Sequence, residues 1–388
     1  MDRYLELSKK YFEKMRKLRR EIHMYPEIDR DLPKTCGLVR SELDSLGISY
    51  RRYGDLGVIG EIGSGDNMVG LRADMDALKV NDLKGVEYAS KNKGYMHACG
   101  HDAHTAIQIG AAHILKELEG ELEGRVRFIF QPAEETDGGA IDMINYGALE
   151  DVKALFGLHV CEAMPSGAIG VKKGVVAAAS NPFKVTIKGK GAHGASPQTG
   201  IDSILIAAKV IDNLQSIVSR EIHATDSVVI SIGIIKGGTA TNAIASTVEI
   251  EGIIRTLGED LRNKVIERFK EIIEYTTKAF NASADIVIEE SYPSYDNNDD
   301  LHDFLEDKLK DEPSINYMTL TRPSMGVEDF AYYAKLVPSL YYRLGCRNEE
   351  RGIVNPAHGS YFDIDEHCLV YGAAVQAMCA VEYLKKIK

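Results

Sequence analysis

The chain has 388 residues and a formal net charge of −12, from 46 basic and 58 acidic side chains. Apolar residues make up 44% and charged residues 27%, which is ordinary globular usage and excludes disordered and collagen-like chains. The acidic excess argues against binding to a phosphate backbone, and the lack of Trp with only 7% aromatic residues argues against a base-stacking surface, so we expect no nucleic-acid partner.

Cysteine use and apolar runs predict the compartment. The six cysteines are scattered and form no CxxC motif, which argues against a disulfide scaffold and against a zinc ribbon. The charged segment 1–17 has no apolar signal core, and the longest apolar run, 228–235, is far shorter than the ~20 residues of a membrane-spanning helix. We therefore expect a soluble, reduced, cytoplasmic protein with no membrane partner.

The hydrophobic pattern of the first 160 residues predicts helices that alternate with apolar strands. Predicted helices are 4–24, 34–46 and 104–118, and predicted strands are 58–62, 68–71, 125–130 and 154–160. This alternation is typical of a layered α/β fold.

From residue 181 the pattern changes to the order β-α-β-β-α-β. The predicted elements are 183–188, 201–220, 228–235, 247–256, 259–278 and 286–289. That order is the one of ferredoxin-like domains. A turn-rich segment, 293–300, then predicts a linker, followed by a helix at 301–309, a strand at 340–344 and a closing helix at 367–384.

The segment 95–104 concentrates residues that bind metal, with three His, one Cys and one Asp in ten positions. Imidazole and thiolate together suit zinc and neighbouring transition metals. Cys99 and His101 are two residues apart and would project to the same side of an extended segment. A surface loop with coincidental histidines, or a Cys99 nucleophile paired with a His, stays open at this point.

Paired carboxylates follow two predicted strands. Glu134 and Glu135 come after strand 125–130, where one acid can ligate a metal while its neighbour shuttles a proton. Asp74 and Asp76 follow the earlier predicted strand 68–71 and could orient a ligand imidazole. Two solvated acids are the commoner fate of such pairs.

Two isolated histidines are further candidates for the site, and several missing motifs argue against common enzyme classes. His159 lies in an apolar strand and His358 in a Gly/Pro loop, and each alone is about as compatible with a structural role as with a functional one. The chain has no HExxH, GxSxG, P-loop or strand-coupled GxGxxG motif, which argues against zincins, serine hydrolases, NTPases and dinucleotide enzymes.

Taken in chain order, these motifs resemble the aminoacylase and carboxypeptidase family of dinuclear metallohydrolases. The resemblance is closest to the amidohydrolase branch of hippurate hydrolases, indole-acetyl-amino-acid hydrolases and N-acetyl-diaminopimelate deacetylases. The matching segments span nearly the full chain and are 18–23, 26–27, 72–78, 96–104, 131–135, 138–140, 157–159, 191–193, 242, 251–252, 255–256, 328–330, 358 and 362–366.

The resemblance implies a set of site residues. Two divalent metal ions per subunit, zinc or manganese and alternatively cobalt or nickel, are expected on Cys99, His101, Glu135, His159 and His358. Glu134 would be the general base and Asp76 its companion. Substrate contacts from a smaller domain are expected from His193, Asn242 and Arg255.

The ligand order predicts how the domains are connected. Because His358 must join ligands at 99–159, the chain has to leave the metal-binding domain and return to it. We therefore predict a discontinuous α/β catalytic domain, 1–180 plus 292–388, with an inserted ferredoxin-like lid and dimerisation domain at 181–291. The resemblance implies a homodimer that pairs through this insert.

The implied activity is metal-dependent hydrolysis of the amide bond of N-acyl-L-amino acids, releasing a carboxylic acid and a free amino acid. A metallo-carboxypeptidase or dipeptidase on the same scaffold is the alternative, because a free α-carboxylate suits both substrate types. A non-catalytic binding protein with a structural metal is a third hypothesis, although a closed structural site needs no free carboxylate beside it.

Overall fold

The computed structural model describes residues 1–54, 56–136 and 138–388. The helices are α1 (Asp2–Lys10), α2 (Phe12–Met24), α3 (Pro33–Leu46), α4 (His101–Glu117), α5 (Gly139–Asn145), α6 (Ser203–Ser216), α7 (Glu259–Ala279), α8 (Asp299–Leu309), α9 (Phe330–Ala334) and α10 (Cys368–Lys386). The strands are β1 (Ser49–Tyr53), β2 (Gly57–Gly63), β3 (Met68–Asp74), β4 (Arg125–Gln131), β5 (Val152–Pro165), β6 (Ile169–Lys172), β7 (Gly174–Ala177), β8 (Ala179–Lys188), β9 (Ala192–His193), β10 (Val228–Gly237), β11 (Ala243–Ile244), β12 (Thr247–Thr256), β13 (Ser283–Ile288), β14 (Tyr295–Asn297), β15 (Tyr317–Leu320) and β16 (Ser339–Arg347).

The described residues divide into two compact units. The larger unit contains Met1–Gly174, Asp296–Arg322 and Asp329–Lys388, and the smaller unit contains Val175–Tyr295 and Pro323–Glu328. The sequence placed the corresponding boundaries at 180 and 292 and did not indicate that a later segment would join the smaller unit.

An eight-stranded mixed sheet forms the centre of the larger unit, in the order β1-β2-β4-β3-β5-β16-β6-β15. Its central strands β4, β3, β5 and β16 run parallel. Every residue of β3 is buried, as expected for a strand covered on both faces. The carboxyl ends of parallel strands meet at one edge of a sheet, where binding sites of α/β folds are usually found.

Helix α4 is buried along almost its whole length, and its sequence is rich in Ala and Ile. Gly110 lies so near α2 that a Cβ there would come within 2.1 Å of the Met15 sulfur. The first turns of α4 reach the end of β3, where Thr105 Oγ1 donates to Asp74 O at 3.1 Å.

The smaller unit contains a four-stranded antiparallel sheet in the order β10-β12-β8-β13. Its elements follow in the order β8, α6, β10, β12, α7 and β13. Apolar residues of the sheet, among them Val185 and Ile250, form one core with α6 and with Phe269 and Ile273 of α7.

Several predicted boundaries differ from the structure. The predicted helix 4–24 is two helices, because Tyr11 leaves the helical conformation and stacks on His113 of α4 with ring centroids 4.7 Å apart. The predicted linker 293–300 contains β14 and the start of α8. Strand β5 is longer than predicted. The elements that were not predicted are β1, β6, β7, β9, β11, β15, α5 and α9.

The predicted mixed α/β class is confirmed. Among the described residues, no helix combines the length and the apolar character needed to cross a lipid bilayer.

Candidate metal centre

The candidate residues lie at the carboxyl ends of the central strands of the larger unit. Asp74 ends β3, Glu134 and Glu135 follow the end of β4, and His159 lies within β5. His101 is the first residue of α4, which therefore starts earlier than the predicted position 104.

Left-handed backbone conformations shape the loops of this site. Gly100 has φ 89°, and a Cβ there would lie 2.3 Å from Val160 Cγ2. Both the left-handed backbone and the lack of space for a side chain therefore require glycine. Ala133 and His358 adopt φ values of 52° and 63°, which are uncommon for residues other than glycine. Such conformations persist only where the surrounding structure holds them, and they cluster at functional sites.

The structure brings the five predicted ligands together. Cys99 Sγ lies 3.3 Å from His159 Nε2, and Glu135 Oε1 lies 3.7 Å from His101 Nε2 and 3.6 Å from His358 Nε2. Within Cys99, His101 and His159, and again within Cys99, Glu135 and His358, the potential ligand atoms all lie within 4.8 Å of one another. Segments from four parts of the chain thus converge on one cluster.

The donor set fits divalent metal ions. Both ring nitrogens of His101 and Oε1 of Glu135 are buried without a hydrogen-bond partner, which is costly unless a cation satisfies them. His159 Nδ1 donates to its neighbouring carbonyl, Val160 O, at 2.7 Å, so the lone pair of Nε2 faces Cys99. Thiolate, imidazole and carboxylate together are the donors of zinc and related metals.

Burial controls the protonation of these groups. It raises the pKa of the Cys99 thiol well above its ordinary value and raises the pKa of Glu135. Burial also lowers the pKa of His159 well below its ordinary value, which keeps the imidazole neutral and able to ligate. For His101 burial is opposed by the carboxylates of Asp74 and Asp76, and the pKa is raised.

Asp76 organises the turn that carries the paired glutamates. Its Oδ1 accepts a hydrogen bond from Glu134 N at 3.0 Å, and its Oδ2 accepts one from Glu135 N at 3.1 Å. Asp76 Oδ1 also lies 3.4 Å from His101 Nδ1. The Glu134 side chain is buried, with an oxygen within 4.8 Å of potential ligand atoms of His101 and Glu135.

A buried charge network beside the cluster was not predicted. Arg72 contacts Asp74 and Asp329 at 2.6 Å each and donates to Gln131 Oε1 at 2.8 Å. His104 Nδ1 donates to Asp74 at 2.5 Å, and its Nε2 accepts from Val160 N at 2.9 Å. The acidic motif at 328–330 was the available signal, but spacing along the chain cannot pair Asp329 with Arg72.

The three predicted substrate residues lie in the smaller unit. His193 on β9 is paired with Ala243 on β11, and Gly194 N donates to Asn242 O at 2.7 Å, so His193 and Asn242 are neighbours. His193 Nδ1 accepts a hydrogen bond from Ala195 N at 3.0 Å, a contact that caps its own loop. Arg255 lies on β12, where burial lowers its pKa and one guanidinium nitrogen is buried without a partner.

The fold and the donor cluster are those expected of a metallohydrolase, and comparisons with known proteins place the chain in a family. A family model described as peptidase family M20/M25/M40 matches residues 70–381. The chain is 39% identical to IAA-amino acid hydrolase ILR1-like 4 of Arabidopsis thaliana, over 100% of this chain and 90% of that protein. It is 37% identical to thermostable carboxypeptidase 1 of Saccharolobus solfataricus, over 95% of each.

A solved structure agrees with this assignment. The Bacillus subtilis YXEP protein, described as a dinuclear metal binding peptidase from the M20 family, superposes with a TM-score of 0.86 and 32% identity, over 97% of this chain and 99% of that one. The chain therefore belongs to the M20 peptidase family, and the predicted resemblance is confirmed. It is a hydrolase of the amidohydrolase and peptidase type, not a non-catalytic binding protein.

Proposed function

We propose that this protein hydrolyses the amide bond of N-acyl-L-amino acids and releases a carboxylic acid and a free amino acid. The observation that carries the proposal is the buried carboxylate of Glu134, which lies next to a five-residue cluster of metal donors. The relative described as an IAA-amino acid hydrolase supports an acyl-amino-acid substrate.

Cys99, His101, Glu135, His159 and His358 would hold two divalent ions, zinc or manganese by preference and cobalt or nickel as alternatives. When bound, such a pair supplies Lewis acidity that lowers the pKa of water and polarises the acyl oxygen.

Glu134 is the general base of this proposal. It takes the proton of the attacking water and passes it to the amine that leaves. Asp76 holds Glu134 in place through the hydrogen bond from the Glu134 backbone N–H. This division requires Glu134 to stay free of the metals while Glu135 binds them.

The smaller unit contributes substrate binding in this proposal. His193 donates to the oxyanion that develops on the acyl group, Arg255 pairs with the α-carboxylate, and Asn242 lies beside His193. The unpartnered guanidinium nitrogen of Arg255 supports its role, because a substrate carboxylate would satisfy it.

We further propose that the smaller unit is a ferredoxin-like insert that acts as a lid and as the dimerisation domain. Its β-α-β-β-α-β order and four-stranded sheet support the ferredoxin-like assignment. The catalytic domain would then be 1–180 plus 292–388, with 181–291 inserted. The scattered cysteines are the basis on which we propose a cytoplasmic location.

A carboxypeptidase or dipeptidase activity is the second candidate. The 37% identity to a thermostable carboxypeptidase favours this activity. The proposed pairing of Arg255 with a free α-carboxylate suits either type of substrate. Mass spectrometry of the products from N-acetyl, N-benzoyl and indole-acetyl amino acids and from dipeptides separates the two activities. Turnover of dipeptides alone would replace the first proposal with the second.

The same assay separates metal catalysis from a thiol mechanism. Apo-protein reloaded with each metal in turn is expected to regain turnover, while apo-protein alone stays inactive. Activity that survives complete metal removal would instead support a nucleophilic Cys99 paired with His159, which lies 3.3 Å away.

A further inference from the structure

A fully buried arginine on α2 contacts three carboxylates from other parts of the chain. Arg19 Nε lies 2.8 Å from Asp102 Oδ2, and its Nη2 donates to Asp363 Oδ1 at 3.0 Å. Its Nη1 donates to Glu366 Oε1 at 3.4 Å. The planar fork of a guanidinium can hold several carboxylates in fixed directions, which a lysine ammonium cannot do.

These carboxylates belong to the two segments that carry proposed ligands. Asp102 follows His101 directly in the first turn of α4, and Asp363 lies in the loop that follows His358. The two segments also touch through the backbone, where His358 N donates to Ala98 O at 2.7 Å. Arg19 therefore joins, from one side, the segments that bring His101 and His358 to Glu135.

His358 depends on such external support. Its backbone is left-handed, with φ 63°, and its side chain is 57% exposed, so packing around the imidazole does little to hold it. Around Asp363, Tyr88 adds a second hydrogen bond, from its hydroxyl to Oδ2 at 2.7 Å. Around Asp102, His23 Nδ1 lies 2.7 Å from the same Oδ2 that Arg19 contacts.

We propose that Arg19 is a positioning residue of the metal centre, which sets the relative placement of His101 and His358 by holding Asp102 and Asp363. The inference rests on the proposed metal-binding function. It differs from a role in stability alone, because it predicts weaker metal binding by a variant that is still folded.

The test measures Zn²⁺ affinity of the purified full-length protein by competition with a chromophoric chelator, together with thermal unfolding. Arg19→Lys is expected to bind Zn²⁺ about tenfold or more weakly, the usual cost of losing a residue that orients ligands. The matched control is Arg127→Lys. Arg127 is also a buried arginine of the larger unit, but it contacts Glu61 at 2.7 Å and the carbonyl oxygens of Ala148 and Glu150.

A loss of affinity in Arg19→Lys that is absent from an equally destabilised Arg127→Lys supports the inference. Unchanged affinity in Arg19→Lys, or the same loss in both variants, overturns it while leaving the proposed function intact. Wild-type protein that binds no divalent metal would overturn both. If Arg19→Lys does not fold, Asp363→Asn is measured instead, since it keeps the contact between Arg19 and Asp102. Weaker Zn²⁺ binding by Asp363→Asn than by an equally destabilised Arg127→Lys then supports the inference. Unchanged affinity, or the same loss in both variants, overturns it.

Discussion

Glu134 and Glu135 are neighbours in the chain and both lie in the cluster of potential metal donors. Glu135 Oε1 is buried without a hydrogen bond, between nitrogens of His101 and His358. Asp76 accepts a hydrogen bond from the backbone N–H of each glutamate, and a Glu134 oxygen lies within 4.8 Å of potential ligand atoms of His101 and Glu135. The proposed function gives these adjacent carboxylates two roles, Glu135 as a metal ligand and Glu134 as the general base.

Glu134→Gln is expected to keep full metal content and to lower kcat by about 100-fold or more, because an amide cannot accept the proton of water. Glu135→Gln is expected to lower the metal content as well, since it removes a proposed ligand. Elemental analysis and steady-state kinetics on both variants check this. Equal metal loss in the two variants would contradict the proposed division of roles.

At the scale of elements, the start of α4 depends on Gly100. Its left-handed conformation ends the preceding loop and lets His101 begin the helix, while its missing side chain makes room for Val160 of β5. The residue thus couples the loop of Cys99 to the strand of His159.

Gly100→Ala is expected to destabilise the protein by more than the ~1–2 kcal/mol that a left-handed alanine costs, because its Cβ also meets Val160. Gly94→Ala is the matched control, since Gly94 has φ 90° but a Cβ at that position would meet nothing within 4 Å. Urea unfolding gives both values, and metal content should fall only in Gly100→Ala. Equal effects of the two substitutions would show that contact with Val160 is unimportant.

Glu382 on α10 joins two other helices. Tyr4 of α1 donates to it at 3.0 Å and Lys308 of α8 donates at 2.8 Å. Burial opposes ionisation, but these hydrogen bonds and one from Lys385 lower the pKa of Glu382 from 4.5 to about 2. Because the pKa is lower in the folded state, the carboxylate stabilises the fold above pH 4.5 and loses this contribution as the pH falls toward 2.

Glu382→Gln is therefore expected to lower the free energy of unfolding near neutral pH by about 1 kcal/mol, as for a partly solvent-screened network. The difference from wild type should shrink as the pH falls below 4.5. Denaturant unfolding across this range measures it, with Asp307→Asn as a control, because Asp307 is 75% exposed. A difference that stays constant with pH would show that the carboxylate charge is not responsible.

At the scale of the whole molecule, the proposed homodimer makes a prediction about site sharing. If His193 completes the partner subunit's site, mixing Glu134→Gln with His193→Ala under conditions of subunit exchange should restore activity. One site of each hybrid dimer would then have an intact Glu134 and an intact His193 from its partner. Mixing that restores nothing, in a preparation shown to exchange subunits, would mean that His193 serves its own chain or only caps its loop.

The spacing of residues along the sequence was enough to predict the fold class and the types of residue in the site. The donor types in 95–104, the adjacent glutamates after a strand and the alternation of helices and strands depend on near neighbours, so they could be read from the chain. The resemblance to the aminoacylase and carboxypeptidase family also followed from such short motifs in order. Local pattern therefore indicated the mixed α/β class, whereas the five residues of the donor cluster were implied as a set by the family resemblance.

Only the tertiary structure decided how distant segments meet. The pairs Arg72–Asp329 and Arg19–Asp363 join residues hundreds of positions apart, and their partners depend on the path of the chain through the central sheet. The break at Tyr11 likewise arises from packing against α4, which overrides a continuous helical pattern. Periodicity reports which face of an element is apolar, whereas the partner on that face is set by the packing of the whole unit.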